Sequence, residues 1–384
     1  TVQTAEAIAT TLTADLDAED LEETRFVYVT LGLLDAATDV RALLASVVAD
    51  QVVGYYDTER DRLVVRDAVL SALRRPGEGE AQMVLVHELV HALQDQHFGL
   101  PDEDDDLESD AANAFRGLAE GDATLAMVFR GALRSVGSVP TTSAVRRALL
   151  ARVATRLGQL ETDTLLASFT APGQTALSEA PTILRTTLVM PYLYGLRFVS
   201  RLAATRGDFA AVDGAYRRPP RTTEQGMHPM RYLRREGADA LEVPVVPALR
   251  DEGWEEVTED TLGELELGVF LGRGAAPPGR GGVDRAAAVG GCGDRPRGLR
   301  RGDAGAALWV TSWDDAGEAR EAAEAARAGG TVALLRGRGV LLLAGLSAAE
   351  QAAAETALAP VLEALPARAP RGSSPGPRAS LGAR

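Results

Sequence analysis

Residues 87 to 91 read His-Glu-Leu-Val-His and sit inside the apolar run from Met83 to Leu93. On a helix His87 and His91 lie one turn apart on the same face, so both imidazoles can reach one tetrahedral ion, and Glu88 beside them can take a proton from water. This is the HExxH pattern of zinc hydrolases. The chain has only four histidines in 384 residues. Two of them with a glutamate on an apolar helix are costly to bury without a partner such as a metal. The bland alternative is a buried helix whose histidines are satisfied by hydrogen bonds.

Two histidines rarely suffice for zinc, and two residues compete to be the third ligand. His97 lies six residues beyond His91, the separation of the metzincin pattern HExxHxxGxxH. The glycine that turns the chain in that pattern is here Gln94, which favours continued helix. Six helical residues would then point His97 roughly 120 degrees away from His91. Glu120, 29 residues after His91, opens the segment Glu120-Gly121-Asp122-Ala123-Thr124 on the next expected helix. It would complete a site of two histidines and one carboxylate with a fourth position left for water. Gly121 would let two helices approach closely there. Glu108, Asp110 and Asp122 are weaker substitutes. Asp122 is read as orienting a ligand histidine or facing solvent, and Thr124, one turn after Glu120, is the better-placed supporting residue.

A hydrolytic centre also needs a donor for the oxyanion that forms at the attacked carbonyl. His228 is the first candidate: it is the one histidine outside the motif helix, in the polar stretch Thr222 to Pro229 bounded by turn formers. Tyr192, Tyr194 and Tyr232 are the alternatives, each of which could equally be a half-buried tyrosine with no chemical role.

The elements that must position these residues can be placed coarsely. A helix is expected over about 3–15, a strand over Arg25 to Thr30 and a helix over Val40 to Ala49. A hairpin follows, with Val52 to Tyr56 and Leu63 to Val65 flanking the polar turn 57–61. Its first strand, Gly54 to Asp57, is either an ordinary packed strand or an edge to which substrate main chain could add. Pro76 to Gly79 breaks the chain before the motif helix, and Gly99 with Pro101 ends it. The run Asp102 to Asp106 reads as a solvated acidic loop, because it lacks the internal glycine and terminal glutamate of a calcium loop. Further helices are expected over Ser109 to Arg134, 144–168 and 179–205. Beyond residue 255 the pattern alternates. Leu308 to Thr311, Thr331 to Leu335 and Val340 to Leu343 read as strands, with helices over Gly317 to Ala328 and Ala348 to Leu365.

The fold class is thus α+β, a mostly helical zincin-like catalytic domain with a small β-hairpin plus a C-terminal α/β domain. Residues 1–50 form a segment packing on the catalytic domain, 51–250 the catalytic domain, 255–365 the α/β domain and 366–384 a Pro-, Arg-, Gly- and Ser-rich tail expected to be disordered.

Composition narrows the partners. The net charge is −15, and all forty basic residues are arginine. A phosphate-binding surface needs a dominant basic field, so nucleic acid is excluded as a partner. An acidic, lysine-free, Ala-, Gly- and Arg-rich chain fits a high-GC genome and a high-salt habitat. The single cysteine, Cys292, excludes an internal disulfide and a zinc-thiolate cluster. No apolar run reaches the roughly 18 residues of a membrane span. The chain opens at Thr1, which fits removal of a leader and an extracellular or cell-surface setting, with a trimmed or cytoplasmic chain as the alternative.

His87 to Phe98, then Glu120 to Ala123, then Thr222 to Gln225 before His228-Pro229, resemble the gluzincin clan of zinc metallopeptidases. More narrowly they are similar to a family of surface metallopeptidases of halophilic archaea and some bacteria. The resemblance spans about residues 50–235, with a weaker echo around Trp309 to Ala316. It implies zinc, peptide or protein substrates and an exported protein. With zinc on His87, His91 and Glu120, a bound water would have its pKa lowered toward roughly 7, and Glu88 would take its proton and pass it to the leaving amine. The readings set against this are a non-catalytic zinc-binding scaffold and a zinc hydrolase of non-peptide amides or esters.

Overall fold

The computed structural model describes residues 1–14, 16–73, 79–101, 107–135, 142–160, 176–272 and 291–366. The fold is α+β, with two separate sheets. Strands β1 (Val2–Gln3), β2 (Gly54–Asp57) and β3 (Arg62–Arg66) form the smaller one in the order β1-β3-β2, which leaves β2 at an edge. The β2–β3 pair is antiparallel, Gly54 opposite Val65 and Asp57 opposite Arg62. Buried Asp57 closes the turn: its carboxylate accepts the Arg60 N–H at 3.1 Å and the Arg62 Nε–H at 2.9 Å.

Three long helices build the region that holds the motif. The motif helix is Gly79–Phe98, the second is Ser109–Ser135 and the third, central one is Thr182–Arg206. The motif helix stops at Gly99, whose φ of 71° a side chain would resist, and the Gly99 N–H bonds the Asp95 carbonyl at 2.9 Å. Glycines also set the distance between the second and central helices. A Cβ on Gly195 would fall 1.9 Å from the Gly117 carbonyl oxygen, and one on Gly121 would fall 2.2 Å from that of Gly195. Backbone therefore packs on backbone there, around a core that includes Leu118, Leu125, Leu193, Leu196 and Phe198.

The larger sheet is antiparallel, in the order β4-β5-β6-β8-β7: β4 (Glu255–Glu259), β5 (Gly291–Arg301), β6 (Ala304–Trp313), β7 (Val332–Arg336) and β8 (Gly339–Ala344). Both faces are covered, so β6 is buried on alternate sides. Leu308 and Val310 pack with Leu358 and Leu362 of the helix Ala348–Glu363. Trp309 and Trp313 pack on the other face with Ala319, Ala322 and Ala326 of the helix Ala316–Ala328, Phe270 of the helix Gly263–Gly272, and Val27 and Tyr28. The first residues thus serve both sheets: β1 pairs with β3, whereas the segment carrying Tyr28 lies on the larger sheet.

That segment corrects one expectation. Arg25 to Thr30 is not a strand but the end of the helix Ala18–Thr30. Asp17 caps it by accepting from the Glu19 and Asp20 N–H groups at 2.7 and 3.1 Å, and those two acids sit favourably in the first turn. A good cap outweighs the β-branched residues at 27 and 29. Strands β4 and β5 carried no alternating apolar pattern, being Glu- and Arg/Gly-rich; β5 even holds Pro296 opposite Trp309, and its place follows from pairing along β6. Of the helix expected over 144–168, Ser143–Leu157 is helical and 161–168 lie outside the described residues. The acidic run 102–106 and residues 367–384 lie outside the described residues.

Buried carboxylates cluster where the two halves meet, Asp110 lying against Gly263 and Glu266 bonding across. Asp294 on β5 accepts the Leu262 and Gly263 N–H groups at 2.9 and 3.0 Å and the Trp309 indole N–H at 2.9 Å. Asp110, at the start of the second helix, accepts the Thr223 N–H at 2.7 Å and its hydroxyl at 2.5 Å. Glu266 accepts the Tyr28 hydroxyl at 2.9 Å and the Asn113 amide at 3.3 Å.

Candidate metal centre

His87 and His91 leave the motif helix one turn apart with rings nearly perpendicular, their centroids 4.7 Å from each other. Gly117 and Gly121 face the central helix, and Glu120, about 100 degrees further round, faces the motif helix. Glu120 Oε2 lies 3.1 Å from His87 Nε2 and 3.5 Å from His91 Nε2, and the two Nε2 atoms are 3.1 Å apart. Three ligand atoms on a tetrahedral ion with bonds of about 2.0–2.1 Å would be about 3.3–3.4 Å from one another. The triangle matches that spacing, and it is the one group of three possible ligands this close among the described residues. The side chains of His87, His91 and Glu120 remain 13 %, 14 % and 16 % exposed, so the triangle is reachable from outside.

The donor set also fits a cation chemically. Gln94 presents Oε1 to His91 Nδ1 at 2.8 Å. An amide oxygen can only accept, so the proton of neutral His91 sits on Nδ1 and its Nε2 carries a lone pair. That lone pair points into the triangle. The Glu120 carboxylate and His91 Nε2, 3.5 Å apart, are thus two acceptors facing each other, which need either a proton or a metal between them. Without a metal the proton serves: burial disfavours a charged His91, but the hydrogen bond and charge of Glu120, helped by Glu88 and Gln94, push its pKa up to about 9. Burial would also raise Glu120, yet hydrogen bonds from His87 and His91 hold its carboxyl far below the usual range.

Glu88 is buried beside the triangle. Burial raises its pKa, the neighbouring imidazoles oppose the rise and Glu120 adds to it. Strand β2 lies over it: a Cβ on Gly54 would come 3.4 Å from Glu88 Cγ and 3.1 Å from the Val64 carbonyl oxygen, so glycine lets the edge strand settle close to the carboxylate. Tyr192 of the central helix stacks on His87 with centroids 6.2 Å apart and rings 18° from parallel. Its hydroxyl bonds Glu120, and burial together with the Glu120 charge raises its pKa well above the usual tyrosine value.

Other candidate residues stand elsewhere. His97 is exposed, its ring edge-on to Phe98. His228 is not brought to the triangle; its Nε2 lies 2.9 Å from Oε1 of buried Glu264, at the start of the helix Gly263–Gly272. The Tyr194 hydroxyl bonds the Asn113 carbonyl, and that of Tyr232 bonds the Arg218 carbonyl at 2.9 Å. Asp110 belongs to the carboxylate seam and Glu108 pairs with Arg295 at 2.6 Å. Asp122 reaches His91 only through Gln94, and the buried Thr124 hydroxyl has no hydrogen-bond partner among the described residues. Gln94 is the supporting residue that the sequence concealed. Its one legible signal was its place three residues after a histidine on the same helix face.

Comparison with known proteins touches only the other half of the chain. Residues 250–339 match the family model described as a domain of unknown function, DUF8575, a stretch that contains most of the larger sheet and none of the triangle. No curated protein and no solved structure matches.

Proposed function

We propose that the chain is a zinc-dependent metallopeptidase of the gluzincin type, with His87, His91 and Glu120 as ligands and Glu88 as general base. The observation that carries this reading is the triangle of two imidazole nitrogens and a carboxylate oxygen, 3.1 to 3.5 Å apart. A zinc ion held there would polarise a carbonyl and lower the pKa of a coordinated water to about 7. The chain's own groups account for the rest. Glu88, next to the ligands and kept from bulk water, takes a proton from the attacking water and returns it to the leaving amine, for which a raised carboxyl pKa is suited. The Tyr192 hydroxyl, rather than His228, is the O–H beside the triangle that, on turning from Glu120, can donate to the developing oxyanion. Strand β2, at the edge of its sheet and against Glu88, is the place where an extended peptide can add as a further strand.

The resemblance of the motif segments supports export and a surface setting; no described helix is long and apolar enough to cross a membrane. Metal analysis and cleavage of an unbiased peptide library test the reading. Glu88→Gln is expected to keep zinc and lose cleavage, and Glu120→Ala to lose zinc. Zinc kept by Glu120→Ala but lost by His97→Ala would reassign the third ligand. Stoichiometric zinc with no cleavage by the wild type would leave a structural zinc protein.

A further inference from the structure

Gln94 is 2 % exposed, and both ends of its amide are engaged. Nε2 donates to the Ala119 carbonyl and to Asp122 Oδ2, each at 3.0 Å. Both partners are acceptors, so the amide cannot be turned round, and Oε1 must face His91 Nδ1. Asp122 Oδ2 also accepts the Tyr216 hydroxyl at 3.2 Å. The Tyr216 ring is itself fixed, stacked on Phe98 with centroids 4.5 Å apart and set edge-on to Phe115. Ala119 and Asp122 lie on either side of Glu120 in the chain. One buried amide therefore ties His91 to the backbone and side chain that flank the candidate ligand on the other helix.

We propose that Gln94 is the positioning residue of the metal centre: its oxygen sets the tautomer and ring orientation of His91, and its nitrogen, through Ala119 and Asp122, registers Glu120 against that ring. Tyr216 is the far end of this relay. The inference rests on the metal-centre reading above and extends it from the ligands to what aims them.

The test exploits the polarity of the relay. Zinc affinity is measured by chelator competition on the full chain for wild type, Gln94→Leu, Gln94→Glu, Asp122→Asn and the double variant Gln94→Glu/Asp122→Asn. The His91 ring is read in parallel by histidine nitrogen NMR of the zinc-loaded protein. Wild type is expected to show a protected proton on His91 Nδ1. Gln94→Leu removes the acceptor and should weaken zinc binding by about 10- to 100-fold while the Nδ1 proton becomes fast-exchanging. Gln94→Glu sets two carboxylates against each other and should also weaken binding. In the double variant the new asparagine amide donates to the new carboxylate, and most of the affinity should return. If Gln94→Leu fails to fold by circular dichroism, the rescue decides alone. Zinc affinity within twofold of wild type in Gln94→Leu, losses that merely add in the double variant, or a His91 proton on Nε2 would overturn the positioning role while the metal centre stands. A wild type that takes up no zinc would overturn the metal centre itself, and the role with it.

Discussion

Two buried polar regions of this protein use carboxylates in opposite ways. In the seam between the two halves, three carboxylates face donors: Asp294 meets two backbone N–H groups and an indole, Asp110 the N–H and hydroxyl of Thr223, and Glu266 a phenol and an amide. In the motif region, Glu120 shares a point with imidazole nitrogens, one of which is shown by Gln94 to hold a lone pair. Those seam carboxylates are met by donors, whereas Glu120 and His91 Nε2 are two acceptors face to face. Buried acids alone therefore say little about function. What matters is whether their neighbours donate or accept.

Substitutions should separate the two regions. The largest effect is expected at Glu88: Glu88→Gln should slow peptide cleavage about 10²- to 10⁴-fold, the range of a general base, with zinc content and melting temperature close to wild type. If cleavage persists, the base lies elsewhere. Asp294→Ala should do the reverse. It strands two buried N–H groups and the Trp309 indole, and at about 1–3 kcal/mol for a group left unsatisfied it should cost several kcal/mol in denaturant unfolding, with zinc affinity in the surviving folded protein unchanged. A zinc affinity that falls with Asp294 would show that the regions are not independent.

Gly195→Ala probes the packing of the central helix on the second helix, which carries Glu120. The added methyl would collide with the Gly117 carbonyl, so the helices must part, at about 1–3 kcal/mol of stability and with weaker zinc binding. Retained affinity would mean that helix separation does not set the ligand spacing. The smallest and most graded effect is that of pH on the seam. Burial, with mutual repulsion, raises Asp110 to about 7, Glu266 to about 8 and Asp294 to about 6. Folded pKa values above the unfolded ones mean stability that is full in acid and lost as pH rises through about 6 to 8, at about 1.4 kcal/mol for each tenfold change in proton affinity. Metal-free protein should therefore melt lower at pH 9 than at pH 5.5, and Asp110→Asn should flatten the slope. A stability that rises over this interval would contradict the raised values.

Local features were legible in proportion to how local they are. The hairpin read from Val52 to Val65, the helix stop at Gly99 and the helices over 182–206, 316–328 and 348–363 depend on caps, turns and periodicity within a few residues. The stretch Arg25 to Thr30 was misleading because a cap eight residues earlier governs it. Strands β4 and β5 were hidden because their pairing partner, not their composition, makes them strands.

The same division runs through the candidate site. Sequence alone determined that His87 and His91 share a helix face with Glu88 beside them, since helical geometry fixes neighbours four residues apart. It also put two residues, Glu120 and His97, ahead of the other candidates for a third ligand. Only the tertiary structure brought Glu120 within 3.1 Å of His87 while leaving His97 exposed, placed Tyr192 on the His87 ring and put His228 with Glu264. Those outcomes depend on how closely separate helices meet. For the second and central helices, and so for the place of Tyr192, that distance follows from three glycines, Gly117, Gly121 and Gly195, whose partners are remote in sequence and touch only in the folded chain.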